Sequence, residues 1–261
     1  MTEIRFGYAG TTRGQVHYAE CGTGSPVVLL HQTPRSWDEY REVLPLLGRT
    51  HRAIAMDTIG FGASAPLADH SIETYAGAVV EFLDALGLPE AALVGHHTGG
   101  VVAVEVAARA PGRVSALVLS STPYVDAAAR ERRRDRPPID EVEPDPGGAH
   151  LTELWQRRQK HYPPGRPDLL SRFVRDALVL GDDAEKGHLA VGRYRMEERI
   201  ALVRCRALCL GASADPFVFP DLRILSSHLN NPTVAVIEGG MIPLMEHRSS
   251  EVCELIARFL S

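Results

Sequence analysis

The chain has 261 residues, of which 44% are hydrophobic and 23% charged, with a formal net charge of −5. That length and mix suit one large α/β domain, or a core carrying a small inserted subdomain. The two charge signs are intermixed and the balance is slightly acidic, which argues against a nucleic-acid partner, and no apolar run approaches the roughly 18 residues that span a bilayer.

The opening MTEIRFGYAG has no basic stretch leading into an apolar one, so no secretory signal is read there. GQVHYAECG (14–22) alternates as an antiparallel strand does. PVVLLHQ (26–32) and HRAIAMD (51–57) are continuous apolar runs, expected of strands covered on both faces. SIETYAGAVVEFLDALGL (71–88) is an amphipathic helix with Ser71 as its cap. AALVGH (91–96) reads as a strand, TGGVVAVEVAARAP (98–111) as a helix and VSALVLS (114–120) as a strand. The segment 129–150 is charged, rich in Pro and Gly and unperiodic, and an irregular stretch is expected. Its run RERRRDR (130–136) reads first as a solvated helix face, with a phosphate or coenzyme A contact as the alternative. Helical signals then dominate to about Glu198, and from Ala207 strand and helix alternate again. An α/β core over 1–122 and 199–261, interrupted by a helical cap over 123–198, accounts for this order. The alternation implies a mostly parallel central sheet flanked by helices. Cys21, Cys205, Cys209 and Cys253 lack framework spacing, so reduced thiols in a cytoplasmic protein are expected.

Four motifs then occur in order: LLHQTPRSW, DTIGFGAS (57–64), VGHHTGG (94–100) and GASADPFVFP (211–220), with EGGMIPLMEH (238–247) behind them. In this order they resemble the α/β-hydrolase fold superfamily. The first is similar to the family's H-G-x-P loop, which supplies an oxyanion-hole amide. The third has the shape of its nucleophile elbow, and the fourth is similar to the stretch carrying the triad acid. The resemblance implies an α/β-hydrolase fold with a helical cap over the site. The chain departs from the family at the chemistry. His97 stands at the nucleophile position, Met241 at the triad-histidine position and Gln32 in place of a glycine, while Asp215 fills the acid position. Serine-hydrolase chemistry does not follow from such a fold.

A neutral imidazole can accept a proton or attack a carbonyl. His97 is therefore expected to lean toward Asp215 and form a catalytic dyad, with the amides of Thr33 and Thr98 as an oxyanion hole. Such a base suits cofactor-free proton transfer on a small carbonyl-bearing organic substrate, as a lyase or cyclase would perform it. A hydrolase of an activated ester, lactone or epoxide, with His97 as nucleophile or base, is the second reading. A ligand-binding protein that has lost its reaction is the third. Gln32, His31, Tyr124, Trp155 and Met241 are the candidate substrate contacts. His96 is expected to pack and make one hydrogen bond, His31 to order its loop, and Asp57 to anchor the turn after it. His247 is a weaker candidate for the displaced base. No cofactor is expected, and no H-x-x-x-H or C-x-x-C spacing points to a metal. A homodimer is left open.

Overall fold

The computed structural model describes residues 3–261. Eight strands form one sheet: β1 (Arg5–Thr11), β2 (Gly14–Cys21), β3 (Pro26–Leu30), β4 (Arg52–Met56), β5 (Ala91–His96), β6 (Val114–Ser120), β7 (Arg206–Ala212) and β8 (Thr233–Ile237). Their spatial order is β1-β2-β4-β3-β5-β6-β7-β8. β2 runs antiparallel to both β1 and β4, and every other pairing is parallel.

The helices are α1 (Val43–Leu47), α2 (Ile72–Ala85), α3 (Thr98–Arg109), α4 (Ala127–Arg134), α5 (Ala149–Gln159), α6 (Pro167–Leu180), α7 (Lys186–Arg193), α8 (Leu222–Ser227), α9 (Leu244–His247) and α10 (Ser249–Leu260). Successive strand residues point to opposite faces, and the core divides accordingly. Val28, Leu30, Leu93 and Leu117 pack with α2 and α3. Val27, Leu29, Val94 and Val118 pack with α1 and α10 on the other face. The central strands are therefore apolar along their whole length, as parallel strands under two helical layers must be. Among the described residues no helix is long and apolar enough to cross a membrane.

Between β6 and β7 lie α4 to α7 and no strand. Leu154, Leu169, Leu170 and Phe173 give this insertion an apolar cluster of its own. A buried ionic contact ties it to the core: Arg35, in the loop after β3, donates from Nε to Asp176 of α6 at 2.8 Å and from Nη1 to Glu246 of α9 at 2.5 Å. The insertion is thus tied by charge to the loop that follows β3.

Candidate active site

His97 occupies the turn between β5 and α3 with φ 46° and ψ −114°, a strained conformation for a residue with a Cβ. Its neighbours explain how the turn closes. A Cβ on Gly95 would stand 2.3 Å from the carbonyl oxygen of Gly99, and one on Gly99 would stand 1.9 Å from that of Leu30. Only glycine lets the strand and the helix start approach so closely. The turn is pinned by the His97 N–H, which donates to the carbonyl of Ser120 at 3.0 Å.

Asp215 lies in the loop after β7 and is 1% exposed. Its Oδ1 accepts from the Phe217 N–H at 3.0 Å. Its Oδ2 lies 2.8 Å from Nε2 of His97. The oxygen sits off the axis of a ring N–H at that nitrogen, so the contact is a close polar approach rather than an aligned hydrogen bond. Burial pushes the Asp215 carboxyl upward, but the His97 ring and the Phe217 N–H outweigh it and hold the group below its usual range. Nδ1 of His97 has no partner among the described residues, and His97 lines a cavity of about 920 Å³.

The next histidine does different work. His96 is fully buried, with Nδ1 3.1 Å from the Ser120 hydroxyl and Nε2 3.0 Å from the carbonyl of Ile242. Burial first, then the adjacent His97, push it down to about 3, so it is a neutral strut. That strut fastens β5 to the loop that carries Met241.

The loop after β3 is fixed by the carboxyl group of Glu39. Gln32 donates its backbone N–H to Oε2 of Glu39 at 2.9 Å and its Nε2 to Oε1 at 2.6 Å. His31 accepts from the Thr58 N–H at 3.0 Å, and its Nδ1 lies 2.8 Å from the carbonyl of Gln32, so both nitrogens serve the loop. Thr33 donates from Oγ1 to Oγ1 of Thr98 at 3.1 Å. The backbone N–H groups of Thr33 and Thr98 have no acceptor among the described residues, and both threonines line the cavity beside His97. Above them, Gly187 of α7 packs so tightly that an added Cβ would stand 2.0 Å from Oγ1 of Thr33.

The structure thus brings His97, Asp215, Thr33, Thr98 and Gln32 together. Four expected substrate contacts lie elsewhere. His31 is spent on its loop, as above. Tyr124 turns away: its hydroxyl meets His228 at 3.1 Å and its ring stacks on the same residue. Trp155 packs on the insertion's own apolar cluster. Met241 is half-buried and does not line the cavity, whereas its neighbour Ile242 does. His247 is likewise off the cavity wall.

The run expected to face solvent is largely exposed, as a solvated helix face would be, and four of its arginines also border the cavity. Arg130, Arg133, Arg134 and Arg136 line the cavity. The sequence also gave no sign of a second histidine–carboxylate contact on this wall. His188 places Nε2 2.7 Å from Oδ2 of the buried Asp140, whose Oδ1 accepts from Arg158. Only the helical insertion's path brings Asp140, from an unperiodic Pro-rich stretch, against α5 and α7.

The chain belongs to the alpha/beta hydrolase fold family, whose sequence model matches residues 25–184. Among curated proteins it is similar to bifunctional epoxide hydrolase 2 of Mus musculus, 33% identical over 128 residues, or 47% of this chain and 23% of that one. It is also similar to haloalkane dehalogenase 2 of Mycobacterium tuberculosis, 34% identical over 114 residues, 43% of this chain and 40% of the other. Each match spans less than half of the relative's length. Among solved structures, the enol-lactonase from Burkholderia xenovorans LB400 superposes with a TM-score of 0.80 at 18% identity, covering 97% of this chain and 99% of that one. At that identity the likeness concerns the fold.

Proposed function

We propose that this protein hydrolyses an activated carboxylic ester or lactone, with His97 as the general base for water and Asp215 as its partner. The observation that carries the reading is the 2.8 Å approach of Asp215 to the buried Nε2 of His97. A carboxylate on Nε2 favours the tautomer whose lone pair is on Nδ1 and stabilises the imidazolium that forms. A water on Nδ1 then attacks the carbonyl while its proton passes to the ring. Oxygen charge develops beside the Thr33 and Thr98 amides, whose N–H groups have no acceptor among the described residues. Collapse of the adduct expels the alkoxide, which takes the proton back from Nδ1. An acid and an alcohol result, and the ring is restored. Off-axis hydrogen bonds before substrate binds are common at such centres and tighten in the complex.

The epoxide hydrolase and the lactonase among the similar proteins support water as the co-substrate, ahead of the lyase or cyclase chemistry that His97 alone would also suit. The test is turnover of activated esters and lactones in ¹⁸O-labelled water. One labelled oxygen in the acid product is expected. His97→Ala is expected to lower kcat about 10²–10⁴-fold, the usual worth of a positioned base. Product without label would favour proton-transfer chemistry instead. Full activity in His97→Ala, or labelling of a pocket serine by a fluorophosphonate, would end the assignment of His97.

A further inference from the structure

The wall of the cavity facing His97 is strongly cationic. Eight arginines line it, and Glu185 is the single acidic residue among them. Glu185 itself is occupied, since Oε2 accepts from the N–H groups of Ile139 and Asp140. Five of the arginines have a carboxylate within ion-pair distance, as in Arg130 with Glu197 and Arg158 with Asp140. Arg133, Arg136 and Arg193 have none among the described residues.

Arg133 is the most telling of the three. Its Nη1 is buried without a hydrogen-bond partner. Burial lowers its pKa, and Arg136 and Arg132 add to that, with Asp221 opposing. A withdrawn charged donor left unmatched is costly, and an anion in the cavity would match it. Arg136, in the segment after α4, and Arg193, in the last turn of α7, border the same space; both are exposed, and neither has an ion-pair partner among the described residues. The whole chain carries a net charge of −5, so this positive field is local to the cavity rather than general.

We propose that Arg133, Arg136 and Arg193 form an anion subsite, and that the substrate carries a phosphate or diphosphate group distal to the carbonyl held at His97. The position of that carbonyl rests on the hydrolase reading above; the subsite itself does not. A carboxylate has two oxygens and fills one guanidinium fork. A phosphate monoester brings three terminal oxygens and nearly two charges, so it can engage more than one fork at once. A cavity of about 920 Å³ is at the large end for a small-molecule site, ample for an acyl group and a charged tail together.

Inorganic pyrophosphate, titrated by calorimetry at fixed ionic strength, is the probe. Saturable binding is expected in the wild type and in His97→Ala. The triple variant Arg133→Gln, Arg136→Gln, Arg193→Gln is expected to bind at least about tenfold more weakly with its melting temperature kept, since none of the three holds another side chain. Malonate is expected to bind more weakly than pyrophosphate. Absence of saturable pyrophosphate binding, indifference to the triple substitution, or a preference for malonate would overturn the proposal. Pyrophosphate binding without any ester or lactone turnover would leave the subsite standing and remove the hydrolase. Turnover of neutral esters with no pyrophosphate binding would do the reverse.

Discussion

At the scale of single residues, the elbow is held by what its glycines lack. A methyl group on Gly99 has nowhere to go, because the Leu30 carbonyl would stand 1.9 Å from it. Gly99→Ala is therefore expected to cost about 1–3 kcal/mol, the range for forced overpacking, read as a shift in urea midpoint. It is also expected to lower turnover beyond that loss, because α3 must move relative to β3 and the Thr98 amide moves with it. The residues of this turn were legible in the chain itself. VGHHTGG names a close approach by its glycines, and its apolar flanks place it between strand and helix. Asp215 was reached another way, from the likeness of GASADPFVFP to the family's acid-bearing stretch. Which side chains meet across the cavity was not legible. Tyr124 and Trp155 are the types that line pockets, but they are equally the types that fill a core, and here they do the latter.

At the scale of elements, the buried strands and long helices were readable because their periodicity reflects a face that must be covered. AALVGH and VSALVLS match β5 and β6 at both ends. Ser71 caps α2 by accepting from the Thr74 N–H at 3.1 Å. Ser71→Ala is expected to destabilise the fold by about 1 kcal/mol, measurable by chemical denaturation. Two elements carried weak signals. β1 is an edge strand with Phe6 and Tyr8 exposed, so it lacks the apolar alternation of a covered strand. α1 is five residues with a proline inside, too short for a period. The arginine run was legible as a helix but not as a wall. A charged face at helical spacing looks the same whether it meets water or a cavity, and the difference arises only when α4 and α7 come together.

At the scale of the whole molecule, buried charge joins the insertion to the core and sets how stability responds to pH. Arg35→Met would leave Asp176 and Glu246 without their buried cation, and a loss of about 3–5 kcal/mol is expected in a denaturation midpoint. Burial works upward on Asp38 and Asp140, yet arginine partners hold both below the usual carboxylate range, as His97 does for Asp215. Their contribution is present above the unfolded value near 3.9 and is lost as pH falls through the lower folded values. Glu39 behaves oppositely. Burial, and then Glu246, push it up from 4.5 to about 8. Between those values the folded chain keeps a proton that the unfolded chain has released, so stability falls as pH rises. Melting temperature is expected to peak on the weakly acidic side and to decline toward about pH 8. Glu39→Gln is expected to flatten that decline in scanning calorimetry; an unchanged slope would show that Glu39 is ionised throughout.

The missing side chain at Gly187 has a consequence for any attempt to recombine this scaffold. The last helix of the insertion rests directly on Thr33, with less than one atom of clearance. The insertion is therefore no interchangeable cassette. A chimera that carries alanine or anything larger at that spot would lever the threonine loop out of register beside His97, however well the transplanted helices fold.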